Sequence, residues 1–187
     1  MARQTWVHLL VWRPVEPARP FDVSRAWPRV LQVSGGGGTP APPGVILRPD
    51  ESIRAAAGRI ATALGLRPPT LPRVLAVDQR PAEGGYPEEL SLIVDGGWLA
   101  DDVPVACTCG QHPWSWTPVA ELGRLALVHA LRALVVGQPP PALWNGAPFR
   151  PATDPDPAPD LDSEPDPDSD SDSEPASGSD PGRRSRP

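Results

Sequence analysis

Short apolar runs separated by turn residues divide the first 149 residues into alternating strands and helices. Runs rich in β-branched and aromatic residues, bounded by Pro and Gly, are typical of strands. This pattern predicts five strands, at residues 6–13, 29–33, 44–47, 72–78 and 89–95. The paired glycines Gly96 and Gly97 are predicted to end the fifth strand.

Two segments have the spacing of amphipathic or buried helices. The first runs from Asp50 to Gly65, with Asp50 and Glu51 expected at its start, where acids favour the helix dipole. The second is predicted to begin at Thr117, as a capping residue, and to end near Val136. The order of strands, helix, strands and helix predicts an α/β domain with layered packing.

The last part of the chain has a different composition. Residues 151–187 contain nine Asp and two Glu against three Arg, a net charge of −8, together with nine Pro and seven Ser. Such a segment has too little apolar surface to offset the entropy of ordering. We therefore predict a domain at residues 1–149 and a disordered acidic tail, rich in Pro, Ser and Asp, at 150–187. This tail either solubilises the protein or contacts an Arg-rich surface of the chain itself or of a basic partner.

Composition excludes several functional classes. Residues 1–150 carry 14 Arg against 12 acids, a nearly neutral balance that argues against specific nucleic-acid binding. The chain contains no apolar run of the roughly 20 residues needed to cross a bilayer, so a membrane partner is not expected. Two Cys are too few for a disulfide scaffold, which favours a cytoplasmic location. The absence of Lys excludes a Lys nucleophile.

Residues 44–66 resemble the Nudix box, G-x5-E-x7-R-E-U-x-E-E-x-G-U, in which U is apolar. Gly44 falls on the first Gly and Asp50 on the first Glu. Ile60 and Leu66 fall on apolar positions, and Gly65 falls on the last Gly. The resemblance extends over about residues 5–149 and includes a C-terminal ending similar to that of bacterial Nudix proteins. It implies a Nudix-like α/β/α sandwich around a mixed β-sheet.

The resemblance also implies a chemistry, from which this sequence departs. Nudix hydrolases cleave nucleoside diphosphate derivatives with Mg²⁺ or Mn²⁺ held by the box carboxylates. Here the R-E pair falls on Gly58 and Arg59, and the E-E pair falls on Thr62 and Ala63. A cation about 4 Å from Mg²⁺ is repelled by roughly 8 kcal/mol at an effective dielectric constant near 20. A shift of one residue aligns Glu51 and Arg59 with the box but leaves the glutamate pair absent.

Three hypotheses for the function follow. The first is a catalytically degenerate module that binds a nucleotide or phosphorylated metabolite, with no metal or other cofactor, through the candidate residues Gly44, Asp50, Glu51 and Arg59. The second is an active pyrophosphohydrolase that uses Mg²⁺ or Mn²⁺ on relocated ligands, drawn from Asp50, Glu51, Asp78, Glu83, Glu88 and Glu89. The third is an interaction protein that works through its acidic tail.

Other candidate features carry weaker signals. Cys107, Cys109 and His112 form an incomplete zinc motif, and the sequence leaves open whether they bind metal. The glycine run at 35–38 lacks the Lys and Ser or Thr of a phosphate-binding loop, so a flexible linker is expected. The seven Trp are expected mainly to pack in or beside the core, although one or two would suit stacking on a base.

Overall fold

The computed structural model describes residues 3–34, 40–85, 87–105 and 113–149. Three predictions lie outside these residues: the acidic tail at 150–187, the glycine run at 35–38, and the Cys107, Cys109 and His112 motif.

The described residues form a mixed sheet and two α-helices. The strands are β1 Gln4–Arg13, β2 Arg29–Val33, β3 Gly44–Ile46, β4 Val74–Arg80, β5 Glu89–Trp98, β6 Trp114–Pro118, β7 Ala142–Trp144 and β8 Ala147–Pro148. The helices are α1 Ile53–Ala63 and α2 Leu125–Val135. The strand order is β6-β2-β1-β5-β4-β7-β8, with β3 paired to β1 beside this path. Two pairs, β1 with β5 and β4 with β7, are parallel, and the other pairs are antiparallel.

Strand β1 separates two hydrophobic cores. Leu10 and Trp12 pack in the cluster that contains helix α2, whereas Val7, Leu9 and Val11 pack in the cluster that contains helix α1. Because successive side chains of a strand point to opposite faces, this alternation places the two helices on opposite sides of the sheet. The predicted α/β/α sandwich with a mixed sheet is confirmed. No helix of the described residues is long and apolar enough to cross a membrane.

Helix α1 begins later than its acids suggested. The Oγ of Ser52 accepts a hydrogen bond of 3.1 Å from the backbone N–H of Ala55, so Ser52 is the cap. Asp50 and Glu51 precede it in a turn, where Asp50 has a φ of 61°. The expectation of acids in the first helical turn is therefore wrong. The predicted stop at Gly65 is confirmed, since that residue has a φ of 69° beyond the helix.

The predicted start of the second helix is also wrong. Thr117 and Pro118 lie in strand β6, which pairs with β2 from Arg29 to Val33. Helix α2 begins only after Arg124, following a 3-10 turn at Val119–Glu121. A Thr-Pro pair suits a strand end as well as a helix start, and the pairing with β2 decides between the two.

Strand β5 continues through the glycines that were expected to end it. It extends to Trp98, and its register against β1 shifts between Leu10 and Trp12. A Cβ on Gly96 would lie 2.7 Å from Cγ of Leu9 and 3.0 Å from the carbonyl oxygen of Leu10. Gly96 is thus required for close approach of the two strands and not for a turn. Strands β7 and β8 were not predicted, because three and two residues are too few for a pattern.

Replacing Gly96 with Ala is expected to destabilise the protein by about 1–3 kcal/mol, because the added methyl group overpacks the β1–β5 contact. Urea unfolding of the full chain measures the change. Gly58→Ala is the matched control. Gly58 lies in helix α1 with Pro68 Cβ at 3.9 Å as its nearest neighbour, so this methyl group has room. Gly58→Ala should raise the free energy of unfolding by about 0.5–1 kcal/mol. An unchanged midpoint for Gly96→Ala would contradict the packing described here.

Candidate functional site

The Nudix-like segment 44–66 folds as strand β3, a turn, helix α1 and a short loop. Gly44 pairs with His8 across β3 and β1. A Cβ at Gly44 would collide with the imidazole ring of His8. Only glycine therefore fits at position 44. Its pairing with His8 places the start of the box segment directly against strand β1.

Glu51 and Arg59 form a two-pronged ion pair at the start of this segment. The Nε and Nη2 groups of Arg59 donate to the two carboxylate oxygens of Glu51, each at 2.9 Å. Nη2 of Arg59 also donates to the carbonyl oxygen of Ile46 at 3.1 Å, and Glu51 accepts from the backbone N–H of Arg48 at 3.0 Å. The hydrogen bond from Arg59, followed by that from Arg48, lowers the pKa of Glu51. Both oxygens of the carboxylate are therefore engaged within the chain.

The structure brings together two of the four predicted ligand-binding residues. Glu51 and Arg59 are in contact, Asp50 lies exposed in the preceding turn, and Gly44 packs against His8. The Glu51–Arg59 contact agrees with the box register shifted by one residue, whereas Gly65 agrees with the unshifted register. The assignment of these four residues to a ligand stays a prediction.

A second polar group lies on the α2 side of the sheet, around His8. The ring of His8 is 4% exposed, stacks on Trp6 with centroids 5.8 Å apart, and has its Nε2 3.2 Å from Nη1 of Arg124. Nη2 of Arg124 donates to Glu89 at 3.4 Å. Burial, followed by the charge of Arg124, lowers the pKa of His8 from 6.5 to about 4. The ring is therefore neutral at physiological pH.

Asp78 is the most deeply buried of the candidate metal ligands, at 1% exposure. Its Oδ1 accepts a hydrogen bond of 2.8 Å from the backbone N–H of Gly146, and its Oδ2 lies 3.3 Å from Nε of Arg80. The backbone N–H of Asn145 donates to the carbonyl oxygen of Gln79 at 2.8 Å. Asp78 thus holds the turn between β7 and β8 against strand β4, which is a structural role.

Of the other candidate acids, two form hydrogen bonds or ion pairs with nearby side chains, and the third lines a cleft. Glu88 pairs with Arg3 at 2.7 Å and accepts from Gln79 at 2.6 Å. Glu89 accepts from the hydroxyl of Ser91 and from Arg124. Glu83 lines an open cleft of about 430 Å³ with Arg80 and Glu89.

Within the described ranges, no three His, Cys, Asp or Glu side chains come together in a way that could hold a metal ion. The relocated metal site of the hydrolase hypothesis is therefore not supported in this part of the chain. Sequence reasoning did not find the His8–Arg124–Glu89 group, whose only signal is a His inside the apolar run of β1.

Stability should fall on acidification partly through His8. In the unfolded chain His8 takes up a proton near pH 6.5, whereas in the folded protein it stays neutral down to about pH 4. Between these values the unfolded state binds more protons, so lowering the pH removes stability, by roughly 3 kcal/mol at most. Urea unfolding at pH 7.5, 5.5 and 4.5 measures this loss. A His8→Gln variant should show a smaller loss over the same interval, and an identical loss would contradict the assignment.

Comparisons with known proteins find structural similarities of low sequence identity to Nudix proteins. No protein-family model and no curated protein matches the chain. Among solved structures, a MutT protein from Methanosarcina mazei is 17% identical, with a TM-score of 0.48 over 73% of this chain and 94% of that one. The Nudix hydrolase RenU from M. smegmatis is 24% identical, with a TM-score of 0.43 over 75% and 90%.

The Nudix domain of Shewanella oneidensis NrtR, solved in complex with ADP ribose, is 12% identical, with a TM-score of 0.47 over 65% of this chain and 76% of that one. In this chain the two helices lie on opposite faces of a mixed sheet, and residues 44–66 form a strand, a turn, a helix and a short loop. This architecture agrees with the Nudix-like α/β/α sandwich that the sequence predicted.

Proposed function

We propose that this chain is a Nudix-like binding module that holds a nucleotide or another phosphorylated small molecule without cleaving it. The observation that carries the proposal is the ion pair between Glu51 and Arg59. In either register of the box resemblance the glutamate pair that holds the metal is absent, and both carboxylate oxygens of Glu51 accept hydrogen bonds from Arg59. This ion pair leaves neither oxygen of Glu51 free for a metal ion.

Metal-assisted hydrolysis requires carboxylates that are free to bind the metal ion. Mg²⁺ takes oxygen ligands in nearly octahedral geometry, and the bound metal activates water and neutralises the charge that develops on the phosphates. Asp78 is committed to the turn between β7 and β8, and Glu88 and Glu89 are paired with arginines. These contacts support binding without turnover over the alternative of an active pyrophosphohydrolase.

The ligand class follows from the Nudix resemblance, since the family acts on nucleoside diphosphate derivatives. The cytoplasmic location and the role of the acidic tail remain predictions from the sequence.

Full-length protein is expected to release no product from a panel of nucleoside diphosphate derivatives, including ADP ribose, with or without Mg²⁺ or Mn²⁺. The reason is that the described residues provide no cluster of metal-binding side chains. Phosphate release after phosphatase treatment measures cleavage, and an active Nudix hydrolase on the same panel serves as the positive control. Metal-dependent turnover by a folded, monodisperse sample would overturn the proposal.

Restoring carboxylates at the box positions should create metal binding. The triple variant Arg59→Glu, Thr62→Glu and Ala63→Glu places three carboxylates at i, i+3 and i+4 on one helical face, with Glu51 beside the first. We expect this variant to bind Mn²⁺ measurably in a calorimetric titration, whereas the wild type should not.

The matched control replaces the same three positions with Gln, which removes Arg59 without adding charge. Circular dichroism establishes that both variants are folded. If the folded glutamate variant binds Mn²⁺ no better than the glutamine variant, the box register assigned to residues 59–63 is wrong.

A further inference from the structure

An open cleft of about 580 Å³ lies at the C-terminal end of strand β1, away from the residues of β1 that pair with the box segment. Its polar and aromatic lining consists of Arg13, Trp27, Arg29, Asp101 and Trp116, and the remaining lining is apolar. Ligand clefts in proteins commonly have about 300–1,000 Å³ and combine apolar walls with a few polar groups.

The cleft is separate from the Nudix-like segment. Gly44 is paired with His8, and Arg13 lies five residues further along the same strand. At about 3.3 Å per residue, this separation is roughly 16 Å. A ligand in the cleft would therefore not need the box residues Glu51 and Arg59.

Two arginines lie side by side on neighbouring strands in the lining of the cleft. Arg13 on β1 pairs directly with Arg29 on β2, so both side chains project from the same face of the sheet. Like charges directly opposite each other in an antiparallel pair are unfavourable. Arg29 is exposed and has no ion pair within the part of the chain that the structure describes. An anion between the two guanidinium groups would relieve this repulsion.

The ion pair between Arg13 and Asp101 is weak. Nε of Arg13 lies 3.2 Å from a carboxylate oxygen of Asp101, outside hydrogen-bond geometry, and the side chain of Asp101 is 83% exposed. Nη2 of Arg13 donates to the carbonyl oxygen of Ala100 at 3.3 Å. A surface ion pair of this kind contributes little to stability. The carboxylate of Asp101 is thus replaceable by a more strongly bound anion.

Aromatic surface lies beside these charges. The guanidinium of Arg13 stacks over the ring of Trp116, 4.3 Å from its centroid. The indole Nε1 of Trp116 is buried and has no hydrogen-bond partner among the described residues. Trp27 contributes a second indole to the lining. Flat rings of a ligand stack on such side chains, and stacking on Trp tolerates any base.

We infer that this cleft, and not the box, is where the phosphorylated ligand binds, and that the ligand is a nucleotide. Its phosphate would be bound between Arg13 and Arg29, and its base would lie against Trp27 and Trp116. Arginine binds phosphate oxygens in a planar, two-pronged manner, which suits a pair of guanidinium groups on adjacent strands. This inference rests on the proposed function, since it names the site and class of the ligand proposed there.

The test titrates full-length protein calorimetrically with 5′-AMP, adenosine and inorganic phosphate. AMP should bind, and adenosine and phosphate should each bind at least about tenfold more weakly. Equal binding of adenosine would show a purely aromatic site, and equal binding of phosphate a purely anionic one. Either result, or the absence of saturable AMP binding, overturns the inference.

Variants then locate the site. Arg29→Gln alters an exposed residue that is not needed for folding, and it should weaken AMP binding about tenfold or more. Asp101→Asn removes the carboxylate that competes for Arg13 and should strengthen AMP binding. Arg132→Gln, an exposed arginine in the last turn of helix α2, is the matched control and should leave binding unchanged. AMP binding that is indifferent to Arg29→Gln would contradict this site.

The two proposals fail in different ways. Metal-dependent cleavage in the product assay overturns the proposed binding without hydrolysis. The binding assays with the variants then still decide where the ligand binds. Binding of AMP that does not depend on Arg29, without any cleavage, overturns only the location.

Discussion

Strand β1 is the element on which the rest of the structure depends. It is buried on both faces, and it pairs with β2, β3 and β5. Its alternating side chains divide the interior into the two cores that hold α1 and α2. The same strand carries His8 at its middle and Arg13 at its C-terminal end. It therefore sets both the position of the box and the position of the arginine-lined cleft, and it keeps them apart.

The ionic contacts of this domain serve the fold more than a metal. Glu51 is held by Arg59, Asp78 by a backbone amide and Arg80, and Glu89 by Arg124 and Ser91. Two of these contacts, from Arg124 to Glu89 and from Gly146 to Asp78, join segments that are distant in sequence. Arg29, by contrast, has no ion-pair partner in the described ranges, and it lines a cleft together with Trp27 and Trp116. An unpaired cation beside aromatic surface is more informative about ligands than the engaged acids are.

Much of the fold could be predicted from local patterns, but the sites could not. The strands at 6–13 and 29–33 and the helix that stops at Gly65 have strong local signals, and the structure has them. The predictions for Thr117, Pro118 and Gly96 are wrong, because pairing with β2 and packing against Leu9 are long-range contacts that no local pattern encodes. The meeting of Arg13 and Arg29 likewise depends on strand register, which spacing in the sequence does not reveal.

The ion pair at the start of helix α1 has an evolutionary consequence. Replacing Arg59 alone by an acid would set two carboxylates against each other beside Ile46, with no cation to separate them. A series of substitutions that adds acids to this helix would therefore lose stability at the step that replaces Arg59. A charge supplied by the chain itself is also always present, whereas a bound ion follows its free concentration. A contact with Arg59 would therefore not depend on the supply of divalent ions.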